Sequence, residues 1–128
     1  MTAVKIVNAS ALAAVLFAEP DGIDIAKNLA TGDLFAPTLL GYEIANVCLR
    51  KLRANPRQRR EFIAAFANWS AMGIQLVPVE HAVVLALAEQ FRLTAYDASY
   101  LWLALTLGAQ LVTLDRRLAR AAVQVGAG

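Results

Sequence analysis

Apolar positions along the chain follow two rhythms. Short apolar blocks at residues 4–7, 34–36, 74–77 and 111–114, each interrupted by at most one polar residue, have the length and composition of buried strands. Between them, apolar residues recur every three or four positions, the period of a helix with one buried face. That period predicts helices from Asn8 or Ser10 to about Phe17, over 23–30, and from Pro37-Thr38 to about Arg53. It predicts further helices over 57–72, 80–91 and 94–107, and from Asp115 to about Ala122. Leu40, Ile44, Val47 and Cys48 form the stripe of the third helix, and Phe62, Phe66 and Trp69 that of the fourth. The breakers agree: Glu19-Pro20-Asp21-Gly22 reads as a turn, Asn55-Pro56 stops a helix, and Gly32, Gly73 and Gly108 follow helix ends. Val123-Gln124-Val125 reads as a last edge strand.

Strands that alternate with helices imply right-handed crossovers and an α/β fold. The expected architecture is a central, mostly parallel sheet of four to five short strands covered by helices on both faces. No repeat, low-complexity tract or linker interrupts residues 1–128, so one domain is expected.

Composition sharpens the picture in two ways. Hydrophobic residues make up 59% and charged residues only 17%, which suits a sheet buried between helices and leaves apolar surface for a partner to cover. The net charge of +2 does not by itself announce nucleic acid. The single cysteine, Cys48, excludes an internal disulfide and gives no sign of an oxidising compartment. Residues 1–18 imitate a secretion signal, but Asn8 and Ser10 interrupt the apolar run. The uncharged run 98–114 falls short of the ~20 residues a membrane span needs. A cytoplasmic protein without membrane contact is expected.

The candidate chemistry lies in Asn8, Glu43, Asp97 and Asp115. Each sits in or beside an apolar stretch, where a carboxylate is costly without a partner. Asn8 and Asp115 each close a predicted strand, and ligands of open α/β sheets bind beyond the carboxyl ends of strands. Each residue also has a plainer use. Asn8 and Asp115 are good helix caps, Asp97 completes a Thr94-x-x-Asp97 capping box, and Glu43 can face solvent. Singly none decides anything; together they are an unusual set.

The segments Ile6-Val7-Asn8-Ala9-Ser10, Pro37-x5-Glu43-x2-Asn46, Leu93-Thr94-Ala95-Tyr96-Asp97-Ala98 and Leu111-Val112-Thr113-Leu114-Asp115-Arg116-Arg117-Leu118 resemble PIN-domain nucleases. They look most like the VapC-type toxins of bacterial toxin–antitoxin pairs. The resemblance spans essentially the whole chain. It implies acidic residues that gather Mg²⁺ or Mn²⁺ at the sheet edge for hydrolysis of RNA. It also implies a homodimer and a cognate VapB-type antitoxin that fills the acidic groove. On that basis Asn8, Glu43, Asp97 and Asp115 are the catalytic and metal positions. Ser10 and Thr113 are hydroxyls around them, and Arg116 and Arg117 contact RNA.

The chain departs from the family at Asn8, where an Asp is expected. An amide oxygen carries no charge, whereas hard divalent cations prefer anionic oxygens. One unit charge at metal distance matters by several kcal/mol at an effective dielectric of about 20, before desolvation is subtracted. Weak metal binding and little cleavage follow. An engineered silent copy and a natural degenerate one are both compatible with Asn8.

Basic residues are concentrated: Arg50, Lys51, Arg53, Arg57, Arg59 and Arg60 occur with no acid among them, and Arg116, Arg117 and Arg120 follow the last carboxylate. The first cluster suits either RNA or a solvated helix end. A single histidine, His81, excludes a two-histidine mechanism within one chain and argues against zinc. Trp69, Tyr96 and Trp102 read as core or interface residues. Two further readings compete with the nuclease. One is a non-catalytic PIN-like protein-interaction module. The other, a phosphate-handling receiver domain, lacks the acids it needs after the first strand.

Overall fold

Ala3–Val7 (β1), Gly32–Pro37 (β2), Gln75–Val77 (β3) and Gln110–Val112 (β4) pair as one parallel sheet in the order β3-β2-β1-β4. The computed structural model describes residues 2–128. Register is set by Ile6 opposite Phe35 on one side and Leu111 on the other, with Ala36 opposite Leu76. Ile6 and Val7 are consecutive, point to opposite faces and are both fully buried, so helices cover both faces at the sheet centre.

The helices are Ala9–Leu16 (α1), Gly22–Leu29 (α2), Leu40–Ala54 (α3), Arg59–Ala67 (α4), His81–Phe91 (α5), Ala95–Leu107 (α6) and Arg116–Gln124 (α7). α6 packs across β1, β2 and β4. It contributes Tyr100, Leu101 and Leu103 to a core that also holds Ile6, Leu12, Leu40, Ile44 and Leu118. α1 and α2 pack so closely that a Cβ at Gly22 would lie 2.3 Å from the Ala14 carbonyl oxygen. Lys5 is buried within β1, and its Nζ donates to Asn28 O, Asn28 Oδ1 and Thr31 Oγ1, placing a cation at the C-terminal end of α2. Among the described residues no helix is long and apolar enough to cross a membrane.

Two expected elements differ. Residues 123–125 form no strand: α7 runs on to Gln124, because Leu118, Ala121 and Ala122 continue a helical buried stripe. The outer edge of β4 instead receives one bond, from Leu111 N–H to Ala127 O (2.8 Å). The single helix expected over 57–72 is a 3₁₀ turn at Pro56–Gln58, α4, and a 3₁₀ turn at Asn68–Met72. Asn68 and Ser70 favour helix ends, and the Ser70 hydroxyl donates back to Ala67 O.

Candidate active site

The strand order fixes where a site forms. The chain leaves β1 toward β2 and β3 and returns to β4 on the other side of β1. The carboxyl ends of β1 and β4 are therefore the switch point of the sheet, where a crevice opens. Asn8 follows β1 and caps α1; Thr113, Leu114 and Asp115 follow β4, and Asp115 caps α7. Glu43 lies in the first turn of α3 and Asp97 in the first turn of α6. Four helix starts thus meet, and their positive dipole ends favour anionic side chains.

Asn8 is at the centre of a directional network. Its Oδ1 accepts from Ser10 N (3.0 Å), Ser10 Oγ (2.6 Å) and Thr113 Oγ1 (3.0 Å). A backbone N–H can only donate, so the Ser10 contact fixes which amide atom is oxygen. The Ser10 hydroxyl in turn accepts from Leu114 N (2.9 Å) and the Thr113 hydroxyl from Asp115 N (3.0 Å). Three donors aimed at one oxygen make a cradle suited to a carboxylate. Asn8 Nδ2 has no protein partner, yet among the described residues no buried side-chain nitrogen or oxygen lacks one. That nitrogen therefore opens into the cleft that Asn8 lines. A donor stands where an aspartate would present its second oxygen.

The cleft, about 260 Å³, is lined by Asn8, Ala9, Ser10, Glu43, Asn46, Val47, Arg50, Asp97 and Asp115. Burial pushes the Glu43 carboxyl up from its ordinary value; the Tyr100 hydroxyl pulls it down, and the Asp97 charge raises it again. Burial likewise pushes Asp97 up, with the Asp115 charge adding to it and the Thr94 hydroxyl and Arg117 opposing it. Tyr100, fully buried, donates to Glu43 Oε1 over 2.5 Å. Burial and the Glu43 charge raise the phenol far enough to keep it a donor.

The plainer uses of these residues are realised in part. Asp115 Oδ1 caps α7 through Leu118 N (2.8 Å), which leaves its second oxygen for the cleft. Thr94 caps α6 through Asp97 N (3.0 Å), but the Asp97 carboxylate makes no return bond to Thr94 N–H. The structure gathers Asn8, Ser10, Glu43, Asp97 and Asp115 in one cleft and ties Thr113 to them. Arg116 and Arg117 are both exposed and do not line the cleft, but the Arg117 charge reaches Asp97 and opposes the rise of its carboxyl. Trp69 and Trp102 pack against the core, but Tyr96 is 65% exposed. One participant escaped sequence reading: Tyr100 follows Asp97 by three residues, so helical spacing places it on the same side of α6, but its partner Glu43 lies on α3. Arg50, read from sequence only as part of a basic cluster, follows Glu43 by seven and lines the cleft.

The donor set suits a hard divalent ion in kind, being carboxylate oxygens in a half-buried cleft. It falls short in number. Among the described residues no three His, Cys, Asp or Glu side chains stand close enough together to grip one ion, and the central position is an amide.

The chain matches the family described as PIN domain over residues 5–124. No curated protein sequence matches it. A solved structure, the crystal structure of PAE2754 from Pyrobaculum aerophilum, is similar at 26% identity and a TM-score of 0.66, covering 94% of this chain and 87% of that one.

Proposed function

The chain belongs to the PIN domain family, and from that premise we propose that it is an endoribonuclease of the VapC toxin type, dependent on Mg²⁺ or Mn²⁺ and weakened or silenced by Asn8. PIN domains are typically metal-dependent nucleases. The observation that carries the reading is the cradle at position 8. Three donors converge on one oxygen in a cleft shared with three carboxylates, an arrangement that suits an aspartate better than the amide it holds.

Glu43, Asp97 and Asp115, with a carboxylate restored at position 8, would hold the ion. When bound, the divalent ion supplies a Lewis acid and an activated water for phosphodiester hydrolysis. The residues of the chain do the rest. Tyr100 fixes the Glu43 carboxylate in one orientation. Ser10 and Thr113 hold position 8, and through their backbone contacts they lock the α1 start to the α7 start. Arg50 and Arg117 bring positive charge to the rim, where a phosphate needs it.

Inhibition by a cognate antitoxin and a homodimer belong to the same proposal, as does action in the cytoplasm. They are supported by the exposed apolar side chains Leu85 (68%) and Val123 (70%) and by the exposed Leu105 of α6. Leu103, on the same helix as Leu105, is fully buried in the chain's own core.

The test is digestion of labelled RNA by the chain as written and by Asn8→Asp, with Mg²⁺ or with a chelator. Metal-dependent cleavage is expected from Asn8→Asp and little or none from the chain as written. A second reading, a non-catalytic interaction module of the same family, is favoured by the uncharged amide at position 8 of a cleft shared with three carboxylates. It prevails if Asn8→Asp binds metal but cleaves nothing.

A further inference from the structure

A second depression, about 350 Å³, lies beside the acid cleft and is lined by Phe91, Arg92, Arg117, Arg120, Ala121 and Gln124. Three guanidiniums share it with no carboxylate among the lining residues. None of the three is ion-paired, the described residues having a single salt bridge, Lys51 to Glu19. Like charges around one groove repel each other and focus a positive field on whatever enters it. Arg117 connects the two sites, since it lines this groove and lies in the first turn of α7, two residues after the Asp115 that caps the helix and lines the acid cleft. Arg92 ends α5 in the left-handed conformation at φ 54, where Gly73 and Gly108 serve the corresponding positions after the Asn68–Met72 turn and α6; Ala18 (φ 52) is the other described non-glycine residue in that conformation. Glycine adopts that conformation freely and arginine only at a cost.

We propose that this groove holds the backbone phosphates of single-stranded RNA next to the acid cleft. The proposal rests on RNA as the substrate of that cleft. Planar guanidiniums match phosphate oxygens in pairs. Phe91, half-buried at the groove wall, offers an apolar face on which a base can stack. An acidic peptide would use the charges but not the continuity with the cleft or the aromatic wall.

The experiment measures binding of a fluorescein-labelled single-stranded RNA oligonucleotide by anisotropy, in chelator and across a salt series, to the chain as written. Arg120→Ala and Arg92→Gly should each weaken binding severalfold. Each should reduce the slope of log K against log salt by about 0.7, the value for one phosphate contact on a single strand. Arg92→Gly should also melt at the same temperature or higher, so weaker binding with undiminished stability separates a ligand role from a structural one. Lys27→Ala removes the same charge on α2, which packs on α1 and β2 and does not line the groove, and should leave the slope unchanged. Groove variants that behave like Lys27→Ala, or an absence of RNA binding by the unsubstituted chain, overturn the proposal. So does a loss of polyglutamate binding with RNA binding intact, which would assign the groove to an acidic peptide. The hydrolase reading stands apart: cleavage by Asn8→Asp with unaltered groove slopes sinks only the groove. Altered slopes without any cleavage sink only the hydrolase.

Discussion

Thr113 Oγ1 donates to Asn8 Oδ1 across 3.0 Å, joining the segment after β4 to the residue that ends β1. The same hydroxyl accepts from Asp115 N–H, so one side chain orients the α1 cap and the approach to the α7 cap together. The isosteric change Thr113→Val removes both bonds and leaves the Asn8 oxygen short of a donor. It is expected to cost about 1–2 kcal/mol, read as a lower midpoint in urea unfolding with an unchanged slope. A midpoint equal to that of the unsubstituted chain would show that the network does not hold the crevice together.

Tyr100→Phe tests the support of Glu43. The ring stays in the core, and only the donor to Glu43 Oε1 is lost. Hydrogen bonds to charged groups contribute roughly 1.5–3 kcal/mol, so a fall of several degrees in melting temperature is expected near neutral pH. The loss should shrink at low pH, where Glu43 is protonated. A loss equal at both pH values would point to packing rather than to the hydroxyl.

The raised carboxyls give a pH dependence with a defined sign. Glu43 and Asp97 are raised, chiefly by burial, so the folded chain holds their protons to higher pH than the unfolded chain does. Within that interval the folded state binds more protons, and its stability falls as pH rises. The interval opens at the ordinary values, 3.8 for Asp97 and 4.5 for Glu43, and closes at the raised ones; above it the penalty is complete. In metal-free buffer Glu43→Gln and Asp97→Asn should therefore gain stability relative to the unsubstituted chain as pH rises through the interval. A difference that is flat or of opposite sign would contradict the assigned repulsion and burial.

Much of the fold was legible because a parallel sheet buries both faces of its strands, and Val4–Val7, with only Lys5 interrupting it, and Leu111–Val112 read as apolar runs. What failed was local. Val123 and Val125 look like a strand by composition, but the spacing of Leu118, Ala121 and Ala122 carries α7 to Gln124, with Val125 as its C-cap. The positions of Asn8, Glu43, Asp97 and Asp115 at element starts could be read from spacing, since each lies at or near a helix N-terminus. The bonds they make could not. The Tyr100 bond to Glu43 spans 57 residues, and the Thr113 bond to Asn8 spans 105, so both depend on how α6 and β4 pack. Nor could the sequence tell that the Asn8 oxygen is turned inward and its nitrogen into the cleft.

The most direct test of the account is a set of melts of the chain as written and of Asn8→Asp, without metal and with Mn²⁺. Without metal, the chain as written should melt at or above Asn8→Asp. A fourth charge beside Glu43, Asp97 and Asp115 adds repulsion, which the three donors at position 8 offset in part. With Mn²⁺ the order should reverse, because an ion that binds only the folded chain stabilises it by about 2.7 kcal/mol at a hundred times its dissociation constant. If the chain as written gains as much from Mn²⁺ as Asn8→Asp does, position 8 is not the missing metal ligand and the assignment of the cleft is wrong.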